Sequence, residues 1–315
     1  MTQGAERTTD HVLEGIDLRG RRFLVTGAST GLGEETTRAV AAHGAAVTLA
    51  VRDLDRGHRA AERIRASVPD ADLDVRRLDL ASLAGVRRFA EEYRAEHDRL
   101  HVLVNNAGVM ACPFATTEDG FELQFATNHL GHFLLAALLT PVLRAAAPAR
   151  VVALSSRGHS RSDVDLDDPG FATSEYEPWV AYGRSKTANA LFAVAYDHHH
   201  AAEGIHAFSV HPGVIATELS RHLTDETLAS LAERLPPGRR LHFKTVPQGA
   251  ATTVWAATAP ELDDHGGAYL EDCQVARVTD DAEATDGVRP YAIDPERAEA
   301  LWARSEQLVG LDPGR

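Results

Sequence analysis

Residues 22–33 read RFLVTGASTGLG, an apolar run that leads into a turn with three glycines, Gly27, Gly31 and Gly33. The run predicts a buried strand, and the residues after the turn predict a helix. Glycines allow a tight turn and a close approach of backbone to ligand, and the free N–H groups of a helix N-terminus attract phosphate. A glycine-rich turn without a ligand is the alternative, but the order of strand, turn and helix favours dinucleotide binding.

The rest of the chain alternates short β-branched runs with longer helical stretches, which predicts a parallel sheet with crossover helices on both faces. We therefore expect one α/β domain with a doubly wound parallel sheet, the Rossmann fold. Such sheets bind ligands beyond the carboxyl ends of their strands, where the polar motifs of this chain lie. The predicted strands are 22–26, 46–51, 74–80, 101–106, 150–156 and 206–212, and the predicted helices are 34–43, 54–67, 82–97, 119–146, 180–202 and 248–259.

The composition is that of a globular protein, since 44% of the 315 residues are hydrophobic and 25% are charged. A formal net charge of -14 argues against a nucleic-acid partner, because phosphate backbones bind basic surfaces. The two cysteines, Cys112 and Cys273, form no disulfide framework or metal-ligand pattern, which favours a reducing, cytoplasmic setting. No apolar run approaches the roughly 20 residues of a membrane span, and residues 1–20 are expected to form a loose, flexible arm.

Tyr182 and Lys186, in the segment AYGRSK, are four residues apart, which places both side chains on one face of a helix. An unperturbed phenol has a pKa of about 10 and is a poor acid or base near neutral pH. An adjacent ammonium stabilises the phenolate, so we expect Lys186 to lower the pKa of Tyr182. This spacing also occurs on many surface helices, so its weight depends on the other motifs of the chain.

Several motifs resemble, in order and separation, those of the short-chain dehydrogenase/reductase family. The similarity spans about residues 20–270, and the segments NNAGVMACP, FATNHLGHFLL and AYGRSKTANALF are most similar to the retinol dehydrogenase-like branch. The resemblance implies an NAD(P)-dependent oxidoreductase that transfers a hydride between NADP(H) and a carbonyl or a primary or secondary alcohol. The matching segments are TGASTGLG at 26–33, NNAG at 105–108, Ser155 and Ser156, YGRSK at 182–186, and HPGVIAT at 211–217.

The resemblance also implies a catalytic role for each matching side chain. Tyr182 matches the acid that protonates a carbonyl oxygen, and Lys186 matches the lysine that tunes it and binds the nicotinamide ribose. Ser156 matches the hydrogen-bond donor to the reacting carbonyl, with Ser155 as the alternative. Asn128, in ATNHLGH, matches the asparagine that holds a water in the proton relay; a helix-kink or packing asparagine is the alternative.

The choice of cofactor depends on the end of the second strand, which reads TLAVRD. Val51 stands where NAD-preferring members of the family carry an acid, and Arg52 stands where many NADP-preferring members carry a base. We therefore expect NADP, and NAD is the alternative if Asp53 reaches the ribose instead. Asp79 resembles the residue beside the adenine ring, although its alternative role is to cap the helix that Ser82 starts. The cofactor-binding residues implied are Gly27, Ser29, Thr30, Gly31, Leu32, Gly33, Arg52, Asp79, Leu80, Asn106, Ala107, Gly108, Tyr182, Lys186, Pro212, Gly213, Ile215 and Thr217.

Two polar segments suggest metal binding, but neither has the spacing of a metal site. The aspartates of residues 163–168 do not match a calcium loop, so we expect a solvated loop there. His198, His199 and His200 are consecutive on a predicted helix and point in different directions, so they cannot converge on one ion. We expect no metal in this protein.

Residues 218–247 follow the nicotinamide motif and are expected to form a small lid on a catalytic domain of residues 21–315. Leucines in this segment suggest a small, moderately apolar substrate. Family relatives often associate through the helices that correspond to 119–146 and 180–202, so a homodimer or homotetramer is plausible.

Two other functions are compatible with the same fold. A relative that has lost catalytic residues can sense or sequester a dinucleotide or a small ligand without turnover, but the complete set of active-site residues argues against this. Non-redox chemistry such as epimerisation has less support from the branch motifs. We therefore expect an oxidoreductase.

Overall fold

The computed structural model describes residues 3–215 and 243–311. Thr217 and most of the expected lid, 218–242, lie outside these residues. The end of the expected lid is described, and it contains a short strand, Phe243–Lys244, and the start of the helix Val246–Thr258.

The centre of the molecule is an eight-stranded sheet in the order β10-β9-β6-β5-β4-β1-β2-β3, and a separate pair, β7 and β8, is parallel. All neighbouring strands of the large sheet are parallel except β10, which pairs antiparallel with β9. The chain order reverses between β1 and β4, which creates the crevice where doubly wound sheets bind ligands. The strands are β1 Arg22–Thr26, β2 Ala46–Val51, β3 Leu73–Arg77, β4 Val102–Asn105, β5 Ala149–Leu154, β6 Ile205–His211, β7 Val214–Ile215, β8 Phe243–Lys244, β9 Tyr269–Glu271 and β10 Gln274–Val275.

Helices cover both faces of this sheet, as the doubly wound fold requires. One hydrophobic core joins α4, α6, α7 and α9 to one face, and a second core joins α1, α2, α3 and α8 to the other. The helices are α1 Thr9–Leu13, α2 Gly31–Ala42, α3 Leu54–Ser67, α4 Leu83–Glu96, α5 Leu123–Phe125, α6 Gly131–Arg144, α7 Pro178–His200, α8 Val246–Thr258 and α9 Pro295–Val309.

The predicted fold class is confirmed, and the six predicted strands and helices are present with small shifts at their ends. Several elements were not predicted: the short strands β7 to β10, and the helices α1 and α9. The expected loose arm differs from the structure, because Thr9 and Leu13 of α1 are fully buried and the helix packs against α8. The sequence did not predict this packing, because only two adjacent apolar residues, Val12 and Leu13, are buried in α1 and they form no periodic pattern.

The long apolar helix before β5 is irregular near its start. One π-helical turn, Ala126–Leu130, joins α5 to α6, and it contains Asn128. The whole span, Leu123–Arg144, is long and apolar enough to cross a membrane, which differs from our reading of the sequence. However, 78% of its most apolar window is buried inside the molecule, as in the core helix of a globular fold.

The helix α9 packs along α7, one of the two helices through which we expected copies of the chain to associate. The ring of Trp302 lies 4.9 Å from that of Phe133 and stacks at 4.6 Å on that of His199. Ser305 adds a hydrogen bond of 2.8 Å to buried His129 in the π-helical turn. Part of the expected association surface is therefore covered by the chain's own C-terminal helix.

Candidate functional site

A cleft of about 1190 Å³ lies at the carboxyl ends of the parallel strands, beside the reversal between β1 and β4. Tyr182 and Lys186 line this cleft together with both serines of the pair, whereas Asn128 lies behind it and is fully buried. Thr217 lies outside the described residues. The other sequence-predicted cofactor residues that line the cleft are Gly27, Ser29, Thr30, Gly31, Leu32, Gly33, Arg52, Asp79, Leu80, Asn106, Ala107, Gly108, Pro212, Gly213 and Ile215.

The glycine turn is packed so tightly that side chains cannot be added. Gly27 has a φ of 64°, and a Cβ on it would lie 2.8 Å from the Cα of Ala107. A Cβ on Gly33 would lie 2.5 Å from Nδ2 of Asn106 and 2.6 Å from the carbonyl oxygen of Gly27. These contacts bring the N-terminus of α2 close to the cleft, where its N–H groups can meet a phosphate.

Thr26, which the sequence analysis did not single out, joins the glycine turn to the NNAG segment. Its hydroxyl oxygen accepts hydrogen bonds from the backbone N–H groups of Asn106 and Ala107, at 2.9 and 3.0 Å. Nδ2 of Asn106 donates to the carbonyl oxygen of Thr26 at 2.7 Å. The two loops that line the cofactor side of the cleft are therefore held as one unit.

His132 extends this unit to the π-helical turn. Its Nδ1 lies 3.0 Å from the carbonyl oxygen of Asn128, which can only accept, so Nδ1 carries the hydrogen and Nε2 accepts from the hydroxyl of Thr26 at 2.8 Å. Burial lowers the pKa of His132 to about 4, although its bond to Asn128 opposes this, so the ring is neutral at neutral pH. The sequence signal was the pair Asn128 and His132, four residues apart in NHLGH.

Both polar atoms of the Asn128 side chain form hydrogen bonds with other protein groups. Its Oδ1 accepts from the backbone N–H of Val109 at 2.8 Å, and its Nδ2 donates to the carbonyl oxygen of Val109 and to the hydroxyl of Ser185, both at 2.9 Å. A Cβ on Gly108 would lie 3.0 Å from Oδ1 of Asn128 and 3.7 Å from Nζ of Lys186. This is the geometry of the kink-and-packing alternative, and it fixes the loop that faces Lys186.

Tyr182 and Lys186 lie on one face of α7 as predicted, with Nζ 5.7 Å from the centre of the phenol ring. The expected effect on the phenol is wrong in direction. Burial raises the pKa of Tyr182 to about 12, against a smaller opposite effect of its hydrogen bond with Ser156, and burial lowers the pKa of Lys186 to about 7. Removal of water from both groups favours their neutral forms more than the lysine favours a phenolate.

Lys186 is held at the end of β5. Its Nζ donates to the carbonyl oxygen of Leu154 at 2.8 Å, and Nδ2 of Asn189 donates to the same oxygen at 2.9 Å. Ser155 donates its hydroxyl hydrogen to the carbonyl oxygen of Lys186 at 2.8 Å. The first serine of the pair therefore braces α7.

Ser156 faces the phenol of Tyr182. The Ser156 side chain opposes the effect of burial on the pKa of Tyr182, and its hydroxyl accepts the backbone N–H of Gly158 at 3.0 Å. A Cβ on Gly158 would lie 2.7 Å from Cε1 of Tyr182, so the turn after Ser156 fits only a glycine against this ring. Of the two serines, Ser156 has the geometry of a ligand to a group that also contacts Tyr182.

The two charged residues after the second strand, Arg52 and Asp53, have different surroundings. Arg52 is exposed at the cleft, while the carboxylate of Asp53 caps α3 by accepting the backbone N–H of Arg56 at 3.0 Å. Arg56 also lines the cleft and was missed by the sequence analysis. Asp79 lines the cleft as well, and the cap of the next helix is Ser82, which accepts the N–H of Gly85 at 3.1 Å.

Segments distant in sequence form the other end of the cleft. The residues that line it are Met110, 112–115, Trp179, Phe243 and 282–285. Phe114 and Phe243 are each 51% exposed there. Residues 282–285 were not predicted to lie here, because no local sequence pattern connects them to the strand ends.

The two segments considered for metal binding have other uses. The carboxylate of Asp168 accepts hydrogen bonds from the backbone and hydroxyls of residues 172–174, so it organises the loop in which we expected only solvation. His199 stacks on Trp302, and His200 bonds to Glu203 at 3.1 Å. Within 3–215 and 243–311, no group of three or more potential metal ligands is present.

Comparison with known proteins gives a consistent family match. The short chain dehydrogenase family matches residues 21–228. A Streptomyces lividans protein named "Probable oxidoreductase" is 44% identical over 292 residues, which are 91% of this chain and 97% of that protein. Human retinol dehydrogenase 13 is 39% identical over 293 residues, covering 93% of this chain and 86% of that protein.

Solved structures agree with the fold. An uncharacterised protein from Mycobacterium paratuberculosis is 34% identical and superposes with a TM-score of 0.71, covering 94% of this chain and 96% of that one. The NADP complex of RhlG from Pseudomonas aeruginosa is 27% identical with a TM-score of 0.64, covering 81% of this chain and 95% of that one.

Replacing Gly33 by alanine tests the glycine turn. The added methyl group must displace Asn106 or the carbonyl of Gly27, so we expect dinucleotide affinity to fall about tenfold or more, as for an overpacked site. Gly170→Ala is the matched control, because a Cβ there meets nothing nearer than 3.9 Å. Fluorescence titration with NADPH measures both variants, and unchanged affinity in Gly33→Ala would show that this turn does not seat the cofactor.

Proposed function

The chain belongs to the short-chain dehydrogenase family, in its retinol dehydrogenase-like branch, and is an NAD(P)-dependent oxidoreductase. From this premise we propose that it uses NADPH to reduce the carbonyl group of a small, moderately apolar molecule. The observation that carries the proposal is the adjacency of Tyr182 and Ser156 in the cleft. Bound NADPH supplies a hydride to the carbonyl carbon.

In this proposal the protein supplies the proton and holds the carbonyl oxygen. The phenol of Tyr182 is protonated at neutral pH, because its pKa is raised to about 12, so it donates its proton to that oxygen as the alcohol forms. The hydroxyl of Ser156 donates a hydrogen bond to the same oxygen and stabilises its developing negative charge. With a pKa near 7, Lys186 is present in both protonation states at neutral pH and can return a proton to Tyr182.

The cradle fits a dinucleotide. Because Gly27 and Gly33 have no side chains, the turn packs closely on the 106–107 loop and its backbone faces the cleft, where a phosphate can bind. The same cleft extends from this turn to Tyr182. Asn128 acts in this scheme by fixing the Val109 backbone beside Lys186, and its part in a water relay stays a prediction. Cytoplasmic location and the oligomeric state also stay predictions from the sequence.

We propose that the cofactor is NADP and not NAD, because of the residues that follow the second strand. Arg52 and Arg56 both line the cleft, whereas Asp53 is engaged by its helix cap, which favours a 2'-phosphate over a free ribose hydroxyl. The related RhlG structure contains NADP, which supports the same choice.

The residues that line the opposite end of the cleft support a moderately apolar substrate. The side chains of Phe114, Trp179, Val214 and Phe243 line it beside the polar groups of Tyr182 and Ser156. Such a surface binds an apolar body while the reacting carbonyl reaches the hydrogen-bond donors.

Tyr182→Phe tests the proton donor. Loss of the hydroxyl should lower kcat for reduction of a panel of aldehydes and ketones by about a thousandfold, the usual scale of general acid catalysis, with little change in NADPH affinity. Tyr196→Phe is the matched control on the same helix: its hydroxyl bonds to Thr140 at 2.8 Å, far from the cleft lining, and turnover should be retained. A Tyr182→Phe enzyme with near-normal kcat would refute the assignment.

Arg52→Ala tests the cofactor preference. Because a charge-assisted hydrogen bond to the 2'-phosphate is lost, the KM for NADPH should rise about tenfold while that for NADH changes little. Arg59→Ala serves as the control, because Arg59 is exposed on the following helix, α3, and does not line the cleft. If Asp53→Asn instead weakens NADH binding and the wild type prefers NADH, the protein uses NAD.

A further inference from the structure

The backbone of Ser156 is clamped by three hydrogen-bond donors. Its carbonyl oxygen accepts from the backbone N–H of His159 at 3.0 Å, from Nδ1 of the same histidine at 2.8 Å, and from the hydroxyl of Tyr269 at 3.1 Å. Two of these donors are side chains. Three donors on one carbonyl restrict the peptide plane of Ser156 and hence the direction of its side chain.

His159 is itself fixed from the opposite side. Its Nε2 lies 3.1 Å from the backbone N–H of Arg289, which can only donate, so Nε2 is the acceptor and Nδ1 carries the hydrogen directed at Ser156. The ring is fully buried, and burial lowers its pKa to about 4, with the bond to Ser156 opposing the shift. At neutral pH one tautomer therefore donates to the serine carbonyl.

Other hydrogen bonds connect His159 and its neighbour Arg157 to the C-terminal part of the chain. The hydroxyl of Tyr291 donates to the carbonyl oxygen of His159 at 2.7 Å. The guanidinium of Arg157 donates to the carbonyl oxygens of Gly287 and Asp286, both at 3.0 Å, and also to that of Ala284. Residues 282–285, at this attachment, line the cleft.

We propose that His159 is a positioning residue that aims the hydroxyl of Ser156 at the reacting oxygen and anchors this serine to the C-terminal segment. The inference rests on the proposed role of Ser156. The turn from Ser156 to His159 packs closely on Tyr182, because a Cβ on Gly158 would lie 2.7 Å from Cε1 of that ring. A shift of the clamped carbonyl therefore changes the distance between Ser156 and Tyr182, and misplacement by about 1 Å can cost on the order of a hundredfold in rate.

Two substitutions separate the two functions of the imidazole. The amide nitrogen of asparagine is as many bonds from Cα as Nδ1 of histidine, so His159→Asn keeps a donor for the Ser156 carbonyl and loses the contact with Arg289. The amide oxygen of glutamine is as many bonds from Cα as Nε2, so His159→Gln keeps an acceptor for Arg289 and loses the donor to Ser156. Both variants lose the ring, which makes each the control for the other.

We expect His159→Gln to lower kcat about tenfold or more, with the NADPH dissociation constant unchanged, and His159→Asn to stay within about threefold of wild type. A second readout needs no turnover. Because the hydrogen bond from Ser156 lowers the phenol pKa, His159→Gln should raise the pKa of Tyr182 in the free protein relative to His159→Asn. Ultraviolet titration of each variant, minus the same variant carrying Tyr182→Phe, measures this pKa.

Equal kcat and equal phenol pKa in the two variants would overturn the proposal, since a purely structural histidine affects both variants only through stability. Tyr269→Phe keeps the test decisive if His159→Gln does not fold, because it removes one donor to the same carbonyl and leaves His159 in place. We then expect a several-fold loss in kcat, and wild-type kcat would overturn the clamp. Ser156→Ala separates the two levels: if it is fully active, the role of Ser156 is wrong, and if it is inactive while His159→Gln is normal, only the role of His159 is wrong.

Discussion

The chemistry of this site depends on the exclusion of water from Tyr182 and Lys186, two ionisable side chains one helical turn apart. Only 4% of each residue is exposed. Burial raises the pKa of Tyr182 and lowers the pKa of Lys186, so it favours the neutral form of both groups. A phenol with a raised pKa stays protonated at neutral pH and can act as a proton donor, and an amine with a pKa near 7 can exchange a proton at neutral pH. In the proposed reduction of a carbonyl the phenol must begin protonated, and burial favours that state.

Three backbone carbonyls at the ends of parallel strands give this dry site its shape. The carbonyl of Leu154 holds Lys186, that of Thr26 holds Asn106, and that of Ser156 receives His159 and Tyr269. The first two join a distant side chain to the last residue of a strand, and the third joins Tyr269 to the turn that follows β5. The parallel sheet thus positions the site through carbonyls at its carboxyl edge, which accept hydrogen bonds from side chains instead of from a neighbouring strand.

Features encoded locally could be predicted from the sequence. The glycine turn, the strand runs and the Tyr182–Lys186 spacing each reflect a local rule of backbone or helix geometry, and the family resemblance identified the serine pair. The contacts of His159 could not be predicted, because Tyr269 and Arg289 are more than a hundred residues away and follow no periodic pattern. The direction of the phenol pKa was wrong because charge spacing is visible in a sequence, whereas the loss of water around both groups depends on the folded packing.

Titration of the Tyr182 phenol in the free protein, with and without Lys186→Met, tests the central claim most directly. The difference spectrum against Tyr182→Phe isolates this phenol from the other buried tyrosines. Desolvation predicts a pKa of about 12, and little change in Lys186→Met, because the amine is already neutral when the phenol titrates. A phenol pKa below its ordinary value of about 10 that rises when the lysine is removed would contradict the account and show that the ammonium is the dominant influence.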